Sequence, residues 1–391
     1  MIDRYADAQI SYIFEDQNKF ALWQKIELYY LNKVLLLTNP EKGLPSRDYL
    51  EIKKHYLNKK SPNIKKVKDY EVSATKHEFV AFLKELDSRL SCEEARKVLH
   101  LGLTSSDIID TASVIQFKQA ANILLLEIGK LYQSLSLLLS NLEGVNTIGR
   151  THGRHAEPID FRDRIYNFLK EIMYCANELK ISVNNLPGML SGPVGSSSQL
   201  NKEAALSTLD YFGLPQSTYV SQALPRYLFS KPIWAMSLLM SCYERFATLI
   251  RLSSIDEINE LQEPFSKGQC GSSSMPHKKN PITAENICGL ARLSRSHVQV
   301  TLENISLWWE RDISHSSTER VIWPDAFHLA VNATKKLTLL LEDLQVNRNE
   351  IKRNLLNSSH SSHKELCESV REIPRTVAYD MVKEKYLNDK D

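Results

Sequence analysis

Residues 271–281 read GSSSMPHKKNP and hold the densest set of chemically useful side chains in the chain. Three hydroxyls follow Gly271, whose missing side chain lets backbone N–H groups approach an anion. Lys278 supplies a point charge for a carboxylate or phosphate, and Asn280 supplies an amide that both donates and accepts hydrogen bonds. The segment predicts an anion-binding loop that carries a nucleophile or a base. A polar surface loop without function is the alternative.

Each of the three serines in this loop could be the base, because Ser272, Ser273 and Ser274 are consecutive. A serine hydroxyl is a weak base and must be activated before it can accept a proton from carbon. Backbone N–H groups, a helix N-terminus or Lys278 could stabilise the alkoxide. Residue types alone leave the choice among the three open.

Two further motifs offer partners for such a base. His152 stands between Gly149 and Gly153, and a histidine with an ordinary pKa of about 6.5 can donate or accept a proton near neutral pH. Thr104 and Ser105 precede a long apolar run, where hydroxyls and free backbone N–H groups at a helix start suit a carboxylate. Helix capping, with Asp107 three residues later, is the structural alternative for Thr104 and is compatible with ligand binding.

The elements that position these residues are predicted to be helices. The 391 residues include only 13 glycines and 14 prolines, which cluster, and no convincing alternating strand pattern is present. Apolar residues recur at three- and four-residue steps, and almost all round, from 105 to about 142, which is typical of a helix in the centre of a bundle. Further helices are predicted over about 159–185, 226–262, 281–309 and 325–345. Helices of this length need partners along their whole length, so a bundle that continues into neighbouring subunits is expected.

Composition narrows the class of protein. A net charge of +2 with 42% hydrophobic residues is ordinary for a globular chain and requires no nucleic-acid partner. Six scattered cysteines and a charged N-terminus predict a cytoplasmic protein with reduced thiols. Neither GxGxxG after a strand nor GxxxxGK[ST] occurs, so no cofactor is expected. His360, His363 and Cys367 have metal-ligand spacing but lack a fourth ligand, so no metal is expected either.

Five further motifs occur in order along the chain, in addition to the 271–281 string. They are DRY near the start, KHEFVAF at 76–82, HLGLTSSD at 100–107, GRTHGRHAEP at 149–158 and WERDISHSSTER at 309–320. Together they resemble the adenylosuccinate lyase family of the fumarase/aspartase superfamily. The resemblance covers about residues 1–345 and is weaker beyond them.

The resemblance implies an all-α fold with a central five-helix bundle that assembles into a tetramer with shared active sites. We divide the chain into an N-terminal helical domain at 1–103, the bundle at 104–345 and a short C-terminal domain at 346–391, where the sequence departs from the family. The resemblance implies elimination of fumarate from a succinylated purine ribotide, with Ser272 as the base and His152 as the general acid. Glu285 matches the carboxylate that orients this histidine.

The resemblance also assigns substrate contacts to positions that match the family motifs. These are Arg4, Tyr5, Lys76, His77, Glu78, Thr104, Ser105, Gln222, Lys278, Asn280, Arg311, Ser316 and Arg320. Lys76 and Glu78 stand where the family usually has Arg and Asp, which puts nucleotide affinity in question because Lys lacks the bidentate fork of Arg. Arg226, in Pro225-Arg226-Tyr227, stands where the family has Gln-Arg-Asp, which weakens its assignment.

Two alternative functions are compatible with these sequence features. Another lyase or cycloisomerase of the superfamily would share the 271–281 string but lack the nucleotide contacts near Arg4 and Arg311. A catalytically silent helical paralogue would suit the short C-terminus and the Lys76 and Glu78 exchanges. Retention of both Ser272 and His152 argues against the silent paralogue.

Overall fold

Helices account for nearly all of the regular structure. The computed structural model describes residues 1–38, 62–218, 220–265, 268–269, 271–357 and 362–388. Within these ranges the α-helices are α1 Ala8–Phe14, α2 Asp16–Thr38, α3 Ile64–Tyr70, α4 Glu78–Asp87, α5 Glu93–Val98, α6 Ser105–Asn141, α7 Phe161–Asn184, α8 Lys202–Tyr211, α9 Tyr227–Ser253, α10 Ile282–Glu303, α11 Ser314–Glu342, α12 Arg348–Leu356, α13 Ser362–Ser369 and α14 Arg375–Asn388. The predicted all-α class is confirmed.

Two small antiparallel ribbons interrupt the helices. Strands β1 (Asn146–Thr151) and β2 (Arg154–Asp160) form a hairpin, and β3 (Leu261–Gln262) pairs with β4 (Gln345–Val346). The expectation of a chain without strands is therefore wrong at these places. The hairpin gives no alternating sequence signal because β2 is exposed or half-buried along its whole length, so neither of its faces needs to be apolar.

The long helices fall close to their predicted positions. The helix expected over 105–142 runs from Ser105 to Asn141, and buried residues follow its length because it is apolar on most faces. The helix expected from 226 to 262 ends at Ser253, and the one expected over 325–345 begins earlier, at Ser314. Ser314 provides a start because Asp312 accepts its backbone N–H at 2.7 Å, an Asx-type contact that favours helix initiation.

The described chain divides into two compact units. The first comprises Met1–Ile128, Tyr174–Met240 and Arg292–Thr334, and the second comprises Gly129–Met173, Ser241–Ala291 and Lys335–Asp391. The three domains predicted from the sequence remain a prediction.

Aromatic side chains form much of the core of each unit. In the first unit, Phe117 of α6 meets Trp323 and Phe327 of α11 edge-on, with ring centroids 5.0 and 5.2 Å apart. In the second unit, Phe168 of α7 stacks on Phe246 of α9 at 4.0 Å. Such pairs add about 0.5–1.5 kcal/mol each beyond their buried area, so they fix how these helices pack.

By length and composition alone, α6 is the one described helix that could cross a membrane, and 44% of its most apolar window is buried within the chain. The central helix of a soluble bundle has the same composition.

Candidate active site

His152 lies at the tip of the β1–β2 hairpin. Thr151 pairs with Arg154, so His152 and Gly153 form a two-residue loop, with φ of 54° and 75°. Two positive φ values are the mark of a type I′ hairpin turn, which usually carries Asn-Gly or Asp-Gly. A residue other than glycine is uncommon in this conformation, and here it leaves the imidazole exposed at the end of a ribbon. The predicted acid is thus presented to its surroundings rather than buried in the chain.

A buried carboxylate fixes β1 close to the tip of this hairpin. Arg150 of β1 donates to both oxygens of Glu260, at 2.8 and 3.2 Å, and Glu260 is fully buried. Arg164 of α7 lies 3.6 Å from the same carboxylate and donates to the carbonyl of Ile148 at 2.9 Å. No local sequence pattern marks Glu260, which is 110 residues from Arg150. The motif residues next to His152 therefore hold its strand in place.

The signature loop, residues 271–281, folds back on itself through backbone contacts. A Cβ atom on Gly271 would lie 1.9 Å from the carbonyl oxygen of Lys278, so only glycine fits there. Asn280 donates from its amide to the carbonyl of Gly271 at 3.4 Å, and the N–H of Lys278 donates to the carbonyl of Met275 at 3.0 Å. Both ends of the loop therefore lie side by side.

Ser272 differs from its two neighbours in its contacts. Its hydroxyl oxygen accepts hydrogen bonds from the backbone N–H groups of Ser274 and Met275, at 3.3 and 3.2 Å. The hydroxyl of Ser274 lies 3.4 Å from the same oxygen. Two N–H groups directed at one oxygen stabilise negative charge there, so Ser272 is the serine of the three best placed to carry an alkoxide.

Lys278, Asn280 and Glu285 line one cavity of about 930 Å³ in the second unit. Glu285 lies in the first turn of α10 and is exposed. Among the described residues of one chain, no hydrogen bond joins Glu285 to His152. The predicted pairing of this acid with this histidine stays a prediction.

A second cavity, of about 430 Å³, lies in the first unit. It brings together four predicted substrate contacts, Glu78, Arg311, Ser316 and Arg320, beside Lys19 and Trp23. Arg311 precedes α11 and Arg320 lies inside it, so the two arginines do not share one helix. The WERDISHSSTER motif therefore bends around the wall of a pocket.

Lys76, His77 and Glu78 of the KHEF motif each make different contacts. Glu78 accepts from Lys19 at 2.6 Å and from Arg320 at 3.1 Å, so it holds an arginine that is expected to bind the ligand. His77 caps α4, where its Nδ1 accepts from the N–H of Val80 at 3.5 Å. Lys76 has a φ of 52° and donates to the carbonyl of Val72.

The side-chain amide of Gln222 makes two hydrogen bonds within the chain. Its amide donates to the carbonyl of Pro193 at 2.9 Å and accepts from Arg311 at 3.2 Å. This places Gln222 next to Arg311, a second predicted contact, and against the backbone of Pro193.

Arg226 is a buried structural residue. It lies 2.5 Å from Asp110 and 3.0 Å from Glu319, with 1% of its side chain exposed. Burial raises the pKa of Glu319 to about 8, although Arg226 opposes the shift. Burial and the neighbouring arginines lower the pKa of His315 to about 4. Sequence reasoning missed Asp110 and Glu319, because nothing local marks a contact across 116 or 93 residues.

Thr104 forms the predicted cap at the start of α6. Its backbone N–H donates to Asp107 at 2.9 Å, and the same carboxylate accepts from Ser191 and Gly192 at 2.8 and 3.0 Å. Burial raises the pKa of Asp107 to about 6 despite these three donors. Asp107 therefore ties the 191–192 backbone to the start of α6, next to Ser105.

His100, which precedes this motif, has a φ of 58° and meets the buried carboxylate of Glu27 at 2.6 Å. Burial alone lowers the pKa of His100, but the charge of Glu27 and its hydrogen bond outweigh burial and raise it. His100 therefore has a structural partner within the chain.

Arg4 and Tyr5 lie on a short 3₁₀ turn, Asp3–Tyr5, at the start of the chain. The turn is held on both sides, because the N-terminal amine pairs with Asp325 at 2.8 Å and the N–H of Asp7 donates to His328 at 2.9 Å. Neither residue lines the 430 Å³ cavity.

Of the metal candidates, His360 lies outside the described residues. His363 meets Glu157 at 2.5 Å and Cys367 at 3.4 Å. Over the described part of the chain, no group of three or more His, Cys, Asp or Glu side chains is arranged to hold a metal ion.

Comparison with known proteins agrees with these motifs. A family model described as "Lyase" matches residues 55–293. The adenylosuccinate lyase of Aquifex aeolicus is 35% identical over 98% of this chain and 86% of its own length. That of Thermotoga maritima is 33% identical over 99% of this chain and 88% of its own length. The chain belongs to the adenylosuccinate lyase family.

Solved structures carry the same fold. A fumarate lyase from Mesorhizobium sp. BNC1 superposes with a TM-score of 0.85 at 21% identity, covering 100% of this chain and 89% of that one. A 3-carboxy-cis,cis-muconate lactonizing enzyme from Pseudomonas putida gives 0.82 at 21% identity, over 97% and 85% of the two chains. At this identity the likeness establishes the fold, and the family follows from the sequence relatives.

Proposed function

We propose that this enzyme cleaves adenylosuccinate to AMP and fumarate, and cleaves the succinylated aminoimidazole carboxamide ribotide of purine synthesis in the same way. The relatives named adenylosuccinate lyase, at 33–35% identity over nearly the whole chain, support this substrate class. The single observation that carries the chemistry is the Ser272 hydroxyl, whose oxygen accepts two backbone N–H groups. That arrangement suits a serine that removes a proton from carbon.

The elimination moves two protons and two electron pairs. Ser272, as the alkoxide, takes the proton from the carbon next to a carboxylate of the succinyl group. The electron pair of that C–H bond forms the new C=C bond, and the C–N bond breaks as its pair moves to nitrogen. His152 gives its proton to that nitrogen, which yields the free amine of AMP and leaves fumarate.

The remaining residues stabilise charge and bind substrate. Negative charge grows on the carboxylate as the carbanion forms, and Lys278 and Asn280 supply a cation and an amide on the signature loop to bind it. Arg311, Ser316 and Arg320 line a cavity of about 430 Å³, where guanidinium groups suit a phosphate. Thr104, Ser105 and Gln222 bind the succinyl portion, while Arg4, Tyr5, Lys76, His77 and Glu78 bind the nucleotide.

The proposal includes a homotetramer in which neighbouring subunits contribute residues to each active site. Large apolar side chains stay exposed along the long helices of the single chain, including Leu126 at 69%, Leu137 at 67% and Leu339 at 64%. Exposed leucines that recur along one helix, as Leu126 and Leu137 do on α6, favour burial against other subunits. His152 is exposed at a hairpin tip, which leaves it available to a neighbouring subunit's Glu285 and Ser272. The enzyme is expected in the cytoplasm, because six scattered cysteines suit reduced thiols.

Mixing two inactive variants tests the shared sites. Ser272→Ala and His152→Asn tetramers, dissociated and reassembled together, are expected to regain part of the wild-type turnover, because some sites then receive both intact residues. Each variant reassembled alone is the control. Continued inactivity of the mixture, with mixed tetramers present by native mass spectrometry, would contradict sharing of these two residues.

Fumarate and AMP release from adenylosuccinate, measured by chromatography, tests the substrate. Both products are expected in equal amounts without added metal or cofactor. Turnover of a carboxymuconate substrate in place of adenylosuccinate, with no binding of AMP, would support the cycloisomerase alternative instead.

A further inference from the structure

Glu263 makes a contact that the reaction scheme above does not use. Both of its carboxylate oxygens accept backbone N–H groups of α10, from Thr283 at 3.0 Å and from Ala284 at 2.7 Å. Glu263 precedes the signature loop, and α10 follows it. The carboxylate therefore joins the two chain segments between which the loop lies.

Helix α10 has no cap of its own. The residue before its first turn is Pro281, which has no side-chain oxygen to accept the N–H groups of Thr283 and Ala284. The first N–H groups of a helix have no partner within the helix. Glu263 supplies the hydrogen-bond acceptors that a local Ser, Thr, Asp or Asn usually supplies. A carboxylate at this end also suits the positive end of the helix dipole. Because the acceptor comes from 20 residues upstream, capping the helix also closes the loop.

The segment that carries Glu263 is firmly held. Leu261 and Gln262 pair with β4, and the N–H of Asn347 donates to the carbonyl of Glu260 at 3.0 Å. The buried side chain of Glu260 is bonded to Arg150 and to the amide of Asn354, the latter at 3.1 Å. A side chain on a fixed segment can position a loop more precisely than one on another loop.

We propose that Glu263 is a positioning residue for the elimination: its carboxylate fixes the start of α10 and so holds Ser272, Lys278 and Asn280 in their reactive arrangement. Glu263 lines the same cavity as Lys278 and Asn280, and its partners lie two and three residues after Pro281, where the loop ends. Its effect on chemistry rests on the function proposed above. Its effect on the loop does not.

The test compares Glu263→Ala and Glu263→Gln with the wild-type enzyme. The Ala variant loses both acceptors and is expected to lower kcat by about tenfold or more while KM changes by less than about threefold, since a shift of about 1 Å in a catalytic group costs about 10²-fold. Gln keeps one acceptor oxygen and should rescue part of the loss. A cap that matters only for stability would leave kcat unchanged.

Asn201→Ala is the matched control. Asn201 caps α8 by accepting the N–H of Ala204 at 3.0 Å, far along the chain from the loop. Its removal should lower the melting temperature to a similar degree while kcat stays at the wild-type value.

Limited trypsin digestion gives a second readout that needs no substrate. Cleavage after Lys278 and Lys279, both exposed on the loop, should be several-fold faster in Glu263→Ala than in the wild type or in Asn201→Ala. Wild-type kcat together with wild-type cleavage rates in Glu263→Ala would overturn the proposal. If the wild type itself does not cleave adenylosuccinate, the proposed function fails, and the digestion still decides the role of Glu263.

Discussion

The two groups of candidate site residues are held by different contacts. In the first unit, the pocket wall rests on buried charges: Arg226 joins Asp110 and Glu319, and almost nothing of its side chain reaches solvent. In the second unit, Ser272 accepts backbone N–H groups within the signature loop, and Glu263 accepts backbone N–H groups at the start of α10. The pocket should therefore respond to loss of charge, and the loop should respond to small changes in backbone geometry.

His152→Asn should produce the largest loss of activity. Asn fits the positive φ of a type I′ turn better than His does, so the hairpin should persist while the acid is lost. Removing a general acid costs about 10²–10⁴-fold in turnover, measured as kcat for fumarate release with circular dichroism as the check on folding. His155→Asn, three residues further along the hairpin, is the control and should stay within about threefold. Turnover close to wild type in His152→Asn would exclude His152 as the acid.

Arg226→Met removes the buried cation of the pocket wall. It leaves the Asp110 carboxylate buried without its cation and Glu319 without its hydrogen-bond donor, which typically costs about 3–5 kcal/mol of unfolding free energy. Arg245→Met is the matched control, because Arg245 pairs with Glu171 at the surface and such pairs contribute about 0–1 kcal/mol. Urea unfolding measures both. Equal losses in the two variants would contradict the view that buried charge supports the first unit.

Asp107→Asn should flatten the pH dependence of stability. The pKa of Asp107 is raised to about 6 by burial, whereas an Asp in an unfolded chain has a pKa of about 3.9. The folded chain thus binds this proton more tightly, so unfolding free energy falls as the pH rises from about 4 to about 6, by up to about 3 kcal/mol. The unfolding free energy of Asp107→Asn lacks this pH-dependent contribution.

Urea unfolding over this pH range checks the sign. Asp87→Asn is the control, because the hydrogen bond from Arg96 lowers the pKa of Asp87. The contribution of Asp87 to the unfolding free energy therefore rises with pH, whereas that of Asp107 falls. A wild-type curve that runs parallel to the Asp107→Asn curve would contradict the raised pKa.

Gly271→Ala tests the backbone packing of the loop. The added methyl group would meet the carbonyl oxygen of Lys278 at 1.9 Å, so the loop must open and turnover should fall by about 10²-fold. Gly129→Ala in α6 is the control, because nothing lies within 4 Å of its added methyl group, and Ala favours a helix over Gly. Wild-type turnover in Gly271→Ala would show that the loop does not need this close approach.

Much of this arrangement is readable from the sequence. Long apolar periodicity predicts the helices, and α6 ends within one residue of its expected end. The 271–281 string predicts the loop, because glycine, consecutive hydroxyls and a lysine are local features. The Thr104–Asp107 cap is likewise a short-range pattern.

The parts that sequence reasoning missed depend on distant partners. Glu260, Glu263, Asp110 and Glu319 act across separations of 20 to 116 residues, and an isolated carboxylate in a sequence does not indicate its partner. The β1–β2 hairpin was missed for a different reason, since its turn uses His-Gly where Asn-Gly would signal a turn.

Adenylosuccinate cleavage by three single variants of the serine run decides whether Ser272 is the base. Ser272→Ala should lose about 10²–10⁴-fold in kcat, because its oxygen alone accepts the N–H groups of Ser274 and Met275. Ser273→Ala and Ser274→Ala keep both N–H groups and should stay within about tenfold of the wild type. Loss of turnover in Ser273→Ala or Ser274→Ala, with Ser272→Ala still active, would contradict Ser272 as the base.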